Sequence, residues 1–355
     1  MQNNPNKINH IEITDLELTG RAGMNAVLNF LENSNLINIL AEKFSSLEKS
    51  SKGLGVYDFF KQVACFFFLG DNLRISEFDR LKNDVGYAKI IETCIEKMGS
   101  ADAMSRMFDK FNQGEVLKFR SIFEIIFEVM LQKHTGPFIS LTLDSMVLDN
   151  NDSKKKQGNT PTYKNVLGFQ PLHLILNGMI IDMTFRGGST HGNSEDTALN
   201  LIVKAIRTIR KVKGNSYPII FNMDSGFMDQ KLFKAIEENN AFFICSGKKY
   251  KTIKEIVESR KDSAWRLFEG KRFTYRFLEF QSKCDSWEKK YRTFYTALEI
   301  EENGQMRINF DDSENVIYTN IKKKKRKSLV RRSLPQPILL LCTMVVGLMN
   351  YLIEV

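Results

Sequence analysis

Several things are scarce in this chain of 355 residues, and each scarcity closes a door. There are five cysteines (Cys65, Cys94, Cys245, Cys284, Cys342), scattered and without CxxC spacing. That excludes a disulfide-framed scaffold and a zinc ribbon, and it favours reduced thiols in a cytosolic setting. The opening MQNNPNKINH is polar and lacks the apolar core of a secretory leader. Net charge is scarce outside one place. The formal net charge is +9, yet eight positive charges lie between Lys322 and Arg332. The remainder is close to neutral, so the basic pI by itself says little about nucleic acid. Local clusters such as Lys154–Lys156 and Lys248–Lys251 still matter. No internal repeat is visible.

Apolar residues, in contrast, are plentiful, with 27 Phe, and a chain of this length can bury more than one core. Two stretches organise it: Phe138–Asn150 (FISLTLDSMVLDN) and Ile219–Phe227 (IIFNMDSGF). Each is an apolar, β-branched run interrupted by a carboxylate, Asp144 in the first and Asp224 in the second. Strands send alternate residues to opposite faces. Ile139, Leu141 and Leu143 therefore share one face, and Ser140, Thr142 and Asp144 the other. An acid near the carboxyl end of a buried strand is costly unless a cation meets it. Two of them on adjacent strands point to a divalent metal site, with turn residues that merely end strands as the plainer alternative. Asp149 and Asp152 read as solvated loop acids. Gly226 reads as the residue permitting a tight turn after Asp224.

Periodicity sets the frame around these runs. Residues 1–20 read as a polar arm and a short extended piece. From Ala22 to about Lys133 the period is helical. Val56–Leu69 is apolar almost all round, which predicts a helix buried on most faces, Phe66–Phe68 included, and it is too short to span a bilayer. Ser100 caps a helix with Asp102 in its first turn, and Phe111 to Met130 mark one long amphipathic helix. At Gly136-Pro137 the period falls to two. The runs Ile139–Leu148, Phe169–Leu176 and Met179–Phe185 read as strands, the last two joined by the hairpin signal Asn177-Gly178. A helix from Glu195 to about Lys213 follows, capped by Ser194. Pro218–Met223, Met228–Glu238 and Ala241–Cys245 read as strand, helix and strand, and Lys248–Arg260 as a helix. Aromatic-rich strands follow from Trp265 to Ile308, and Val316–Asn320 is one more strand. The order β-β-β-α-β-α-β predicts a mixed sheet covered by helices. In a ribonuclease-H-like arrangement its first and fourth strands are neighbours, which sets Asp144 beside Asp224.

The expected division is a helical domain over 1–135, a ribonuclease-H-like α/β core over 136–247, a β-rich insertion over 248–320 and an atypical tail over 321–355. Read in order, the residues resemble the DDE transposases of bacterial insertion sequences, in the group with a helical N-terminal region and a β-rich insertion. The carriers are Ser100-Ala-Asp-Ala-Met-Ser-Arg, Leu143-Asp144-Ser145, Gly168-Phe-Gln-Pro-Leu, Arg186-Gly-Gly-Ser-Thr-His-Gly-Asn, Asp224-Ser-Gly-Phe, Trp287 with Arg292, and Tyr318-Thr-Asn320. The resemblance runs from about residue 8 to residue 320. It implies hydrolysis at transposon ends and then attack of the freed 3′-OH on target DNA. Two Mg²⁺ ions, or Mn²⁺ in their place, would clamp the reacting oxygens, Asp144 bridging both ions and Asp224 binding one. The partners implied are double-stranded DNA, as terminal inverted repeats and target, and a second copy of the chain in a synaptic complex. The setting implied is the cytoplasm, at the nucleoid.

One departure stands out. The family carries a third acid, a glutamate, after the insertion in a Tyr…Arg…Glu…Lys pattern. No such pattern follows Asn320 here, where a lysine run points to a slipped reading frame or a deletion. Catalysis is then expected to be impaired, and a DNA-binding inhibitor of the intact enzyme is the alternative reading. Glu258, after the last core strand, is the topological stand-in for that acid. Candidate DNA contacts are Lys154, Lys155 and Lys156 on phosphates, His191, Trp287 as a stacking platform, and Arg292. Against each stands an ordinary reading: a solvated loop, a loop histidine before a capped helix, and packing in a β insertion. The tail's basic flank and apolar stretch, Ile338–Ile353, also fit a membrane anchor. No membrane is expected, because a DNA-cutting enzyme gains nothing from one.

Overall fold

A computed structural model describes residues 19–48, 53–70, 74–152, 158–269, 274–302, 305–309 and 314–322. Lys154–Lys156 and the tail beyond Lys322 lie outside them. The chain forms two compact units that divide between Ile122 and Phe123.

The first unit is helical: α1 (Met24–Asn33), α2 (Leu36–Lys43), α3 (Val56–Leu69), α4 (Glu77–Lys82), α5 (Val85–Ile90), α6 (Ala101–Phe108) and the start of α7 (Gln113–Lys133). Ser100 caps α6 by accepting the Ala103 N–H at 3.2 Å, with Asp102 in the first turn, as the sequence predicts. Phe44 is the hub of the core, its ring 4.5 Å from Phe119 and 5.2 Å from Phe60. The expectation that Phe66–Phe68 is all core needs correction. Phe66 stacks on Phe78 at 4.6 Å, whereas Phe67 and Phe68 are 60% and 57% exposed. Near-uniform apolarity along α3 does not say which side meets a neighbour. The division between units falls inside α7 rather than at Gly136-Pro137, since Ile122 joins the helical core while Phe127 and Leu131 join the core of the second unit.

The second unit is built on one large sheet. Its strands are β1 (Ile139–Ser145), β5 (Leu172–Leu176), β6 (Met179–Thr184), β7 (Ile219–Met223), β8 (Phe242–Gly247), β9 (Arg266–Glu269), β10 (Thr274–Ser282), β11 (Tyr291–Glu302), β12 (Gln305–Asn309) and β13 (Asn315–Thr319). The order is β6-β5-β1-β7-β8-β13-β11-β10-β9, with β12 on β11. The first five strands form the ribonuclease-H-like half: β1, β7 and β8 are parallel, and β5 and β6 fold back antiparallel. Asn177 and Gly178, both at positive φ (51° and 80°), close the β5–β6 hairpin as a primed turn requires. The strands expected as an insertion do not stand apart. β13 bonds β8 on one side and β11 on the other, antiparallel to both, so the sheet runs on without a seam.

Helices α8 (Thr197–Lys213), α9 (Gln230–Glu238) and α10 (Lys251–Glu258) cover one face through Leu201, Ile202, Leu232, Phe233, Ile253 and Val257. These pack on Leu141, Leu143, Phe221 and Met223. The opposite face carries a smaller cluster of Ile220, Ile244, Phe294 and Ile317.

Two strands are shorter than periodicity suggests. The run after Asp144 leaves the large sheet at Ser145, and β2 (Leu148–Asp149) pairs instead with β4 (Leu167–Phe169), which also pairs with β3 (Thr160–Pro161). Pro171, lacking an N–H, separates β4 from β5. Among the described residues no helix is long and apolar enough to cross a membrane; the apolar stretch 338–353 lies outside them.

Candidate active site

In the β1–β7 ladder Thr142 pairs with Asn222 and Leu143 with Met223. One step further, Asp144 stands beside Asp224. Partners in a ladder share a face, and Leu143 and Met223 belong to the helix-covered core. Asp144 therefore alternates onto the other face of β1, and Asp224, the first residue past the end of β7, lies close enough for its carboxyl to feel the Asp144 charge. Asn222 locks this register from the same face. It is buried, and its Nδ2 donates to Ser140 Oγ at 2.7 Å and to the Leu141 carbonyl at 3.3 Å.

Each carboxylate is oriented by the backbone after it. Asp144 Oδ1 accepts the Ser145 N–H at 2.8 Å, and Asp224 Oδ1 accepts the Gly226 N–H at 2.9 Å. Burial raises the Asp224 carboxyl above the ordinary carboxylate range; the Gly226 N–H pulls it back, and the Asp144 charge pushes it up again. Gly226 adopts no left-handed φ. Glycine suits the position through close approach instead, because a Cβ there would lie 3.1 Å from Asp224 Oδ1. Among the described residues neither carboxylate has a salt-bridge partner. Two hard oxygen donors held together without a cation fit a divalent ion. No group of three His, Cys, Asp or Glu side chains that could hold a metal forms among the described residues.

Two neighbours escape a reading by motif. His173 pairs with Asp144 across β5 and β1 and is buried. Burial pulls its imidazole down, against the upward pull of Asp144, and Arg186 adds to the drop. Arg186 is also buried, its guanidinium pulled down by that burial. The sequence signal was a polar residue inside the apolar run Leu172–Leu176, together with an arginine opening a glycine-rich loop.

The remaining candidates disperse. Glu258 ends α10, whose buried residues Ile253 and Val257 join the helix-covered core. It is exposed and lies near the Tyr295 phenol, whose rise it shares with burial and Glu314, and it joins no three-acid group with the two aspartates among the described residues. Trp287 is 4% exposed, edge-on to Tyr318 at 5.0 Å and to Phe233 at 5.4 Å. It is a core residue, without an open face for a base. Arg292 is spent on structure: it pairs with Glu279 at 3.0 Å, donates to the Ile321 carbonyl at 3.0 Å and lies over the Phe294 ring at 4.7 Å. His191 is exposed on its loop. The helix behind it begins at Thr197, not Glu195, because Glu195 and Asp196 both take positive φ. The N-cap position is correspondingly Asp196, whose side chain makes no cap bond; Asn193 Oδ1 accepts the Leu199 N–H at 3.1 Å, and Ser194 is not the cap.

Comparison with known proteins identifies the family. A family profile described as "Transposase DDE domain group 1" matches residues 10–333. No curated protein matches. Among solved structures the chain is similar to a piggyBac transposase synaptic complex with hairpin DNA, at 13% identity and TM-score 0.36, over 85% of this chain and 60% of that one. It is also similar to a pre-cleavage Mos1 transpososome (9%, 0.21; 63% and 77%) and to the NurA nuclease from Sulfolobus solfataricus (13%, 0.23; 68% and 91%). The chain thus spans 60% of the piggyBac transposase chain. By the family match over most of its length, the protein belongs to the DDE transposases of group 1.

Proposed function

We propose that this transposase binds the terminal inverted repeats of its own element and cuts and transfers DNA strands with Asp144 and Asp224 as its metal-binding acids. The observation that carries the reading is the pairing of β1 and β7, which brings two carboxylates close enough to feel each other's charge, with no cation on either among the described residues. Such a pair holds a divalent ion, Mg²⁺ or Mn²⁺, through hard oxygen donors. When bound, the ion polarises the phosphoryl oxygens and activates the attacking oxygen.

The chain's own groups do the rest. The Ser145 amide orients the Asp144 carboxylate and the Gly226 and Phe227 amides orient that of Asp224, so both acids would be held ready for an ion. Asn222 keeps the two strand ends in step. His191 on its exposed loop and the lysines of 154–156 are the candidate grips on phosphate, and a second copy of the chain would bring two ends together at the nucleoid.

The test is nicking of a duplex carrying the terminal repeat in Mg²⁺. Cleavage by the unmutated chain and its loss in Asp144→Asn would support the reading. A second reading follows from the lack of a three-acid group among the described residues: the chain binds ends and inhibits the intact enzyme without cutting. A gel shift of repeat DNA with no nicking in Mg²⁺ or Mn²⁺ would favour it over the first.

A further inference from the structure

Arg186 is buried and makes no ion pair with either acid among the described residues. Its Nε donates to the Gln170 carbonyl at 3.1 Å, and its Nη1 donates to the Gly192 carbonyl at 2.7 Å and to Thr197 Oγ1 at 3.2 Å. Its Nη2 is buried without a partner, and no salt bridge neutralises it among the described residues. Burying a guanidinium on neutral acceptors is costly, so the contacts it organises are worth following in both directions.

In one direction lies Asp224. Gly192, held by Nη1, packs so close to the turn after β7 that a Cβ on it would come within 2.3 Å of the Gly226 carbonyl. Gly226 is the residue whose N–H orients Asp224. The adjacent Asn193 adds a second tie to this turn, donating to Asp229 Oδ2 at 3.1 Å. In the other direction lies Asp144. Gln170, held by Nε, has its side-chain amide 3.3 Å from Ser145 Oγ, and Ser145 is the residue whose N–H orients Asp144. Turned over, the same amide donates to the Gly188 and Thr190 carbonyls at 3.1 and 3.3 Å and presents its oxygen to the Ser145 hydroxyl, so the tie to Ser145 holds in either orientation.

We propose that Arg186 is a positioning residue for the carboxylate pair: one guanidinium clamps Gln170 to Gly192 and thereby fixes how far Asp144 stands from Asp224. The inference rests on the metal-binding reading of those two acids. Only a planar fork suits the task, since its donors leave in fixed, divergent directions, whereas a lysine ammonium offers one point.

Manganese binding by the full chain tests it, with free Mn²⁺ followed by electron paramagnetic resonance well below the melting temperature. The variants are Asp144→Asn, Arg186→Lys, Gly192→Ala and Ile209→Val, each checked for native circular dichroism. Ile209→Val trims the buried core side of α8, outside the Arg186 contacts, and reports what lost stability alone does. Arg186→Lys and Gly192→Ala are expected to weaken Mn²⁺ binding about tenfold or more, the size seen when groups that orient metal ligands are lost. Ile209→Val should bind as the unmutated chain does. If Arg186→Lys or Gly192→Ala, whichever keeps its fold, binds Mn²⁺ like the unmutated chain, the positioning role is overturned while the metal reading stands. If the unmutated chain binds no better than Asp144→Asn, the metal reading itself falls and takes this inference with it.

Discussion

Asp144 near the end of β1 and Asp224 just past the end of β7 both follow the Leu143–Met223 pair of the parallel ladder. Acids that share an ion act as one unit, so their removals should not add. Asp144→Asn and Asp224→Asn are each expected to abolish nearly all strand cleavage, and the double variant to lose no more. Single-turnover nicking rates, with repeat binding measured in parallel, check this; additive losses would mean separate roles.

The raised Asp224 carboxyl has a consequence for stability. Its folded value lies above its unfolded one, so the folded chain binds more protons in the interval between them. Stability of the metal-free protein should therefore fall as pH rises from the ordinary carboxylate value, about 4, through the raised folded value, and level off above it. Asp224→Asn removes this dependence. Melting curves across that range should show the variant gaining on the unmutated chain as pH rises, and a saturating divalent ion should close the gap by binding the folded state. A constant difference at every pH would contradict the assignment.

Trp287 separates packing from recognition. Buried against Phe233, Tyr291 and Tyr318, it should cost about 3–5 kcal/mol of stability on replacement by alanine. Affinity of the folded variant for repeat DNA should stay where it was. Denaturant unfolding and gel shift on the same sample decide; a selective loss of affinity would restore a role in DNA contact.

The small sheet beside Asp144 depends on one glycine. A Cβ on Gly168 would lie 2.0 Å from the Leu148 carbonyl, which the β2–β4 pairing cannot accommodate. Gly168→Ala should open that sheet, with faster amide hydrogen exchange at Asn150, which donates to Leu167, and little change at β1 or β7. Unchanged exchange at Asn150 would show that the pairing tolerates the shift.

Much of this layout could be read from residues alone, for identifiable reasons. Alternation put Ser140, Thr142 and Asp144 opposite Ile139, Leu141 and Leu143, and Asn177-Gly178 announced a hairpin whose φ angles only such residues take readily. Local chemistry is written locally. What could not be read depends on which surface meets which. Leu148 continues an apolar run, yet belongs to a different sheet. Trp287 and Arg292 look like contacts for DNA until β13 arrives to bury one and occupy the other. The clamp at Arg186 joins residues from Ser145 to Gly226, a separation over which no spacing rule operates.

The place of β13 between β8 and β11 also governs the order of assembly. The 67 residues numbered 248–314 must be synthesised before β8 gains its second neighbour, and until then its backbone donors and acceptors form an open edge. Nascent chains halted before residue 315 should accordingly recruit chaperones or aggregate, whereas release a few residues later lets the whole sheet close at once.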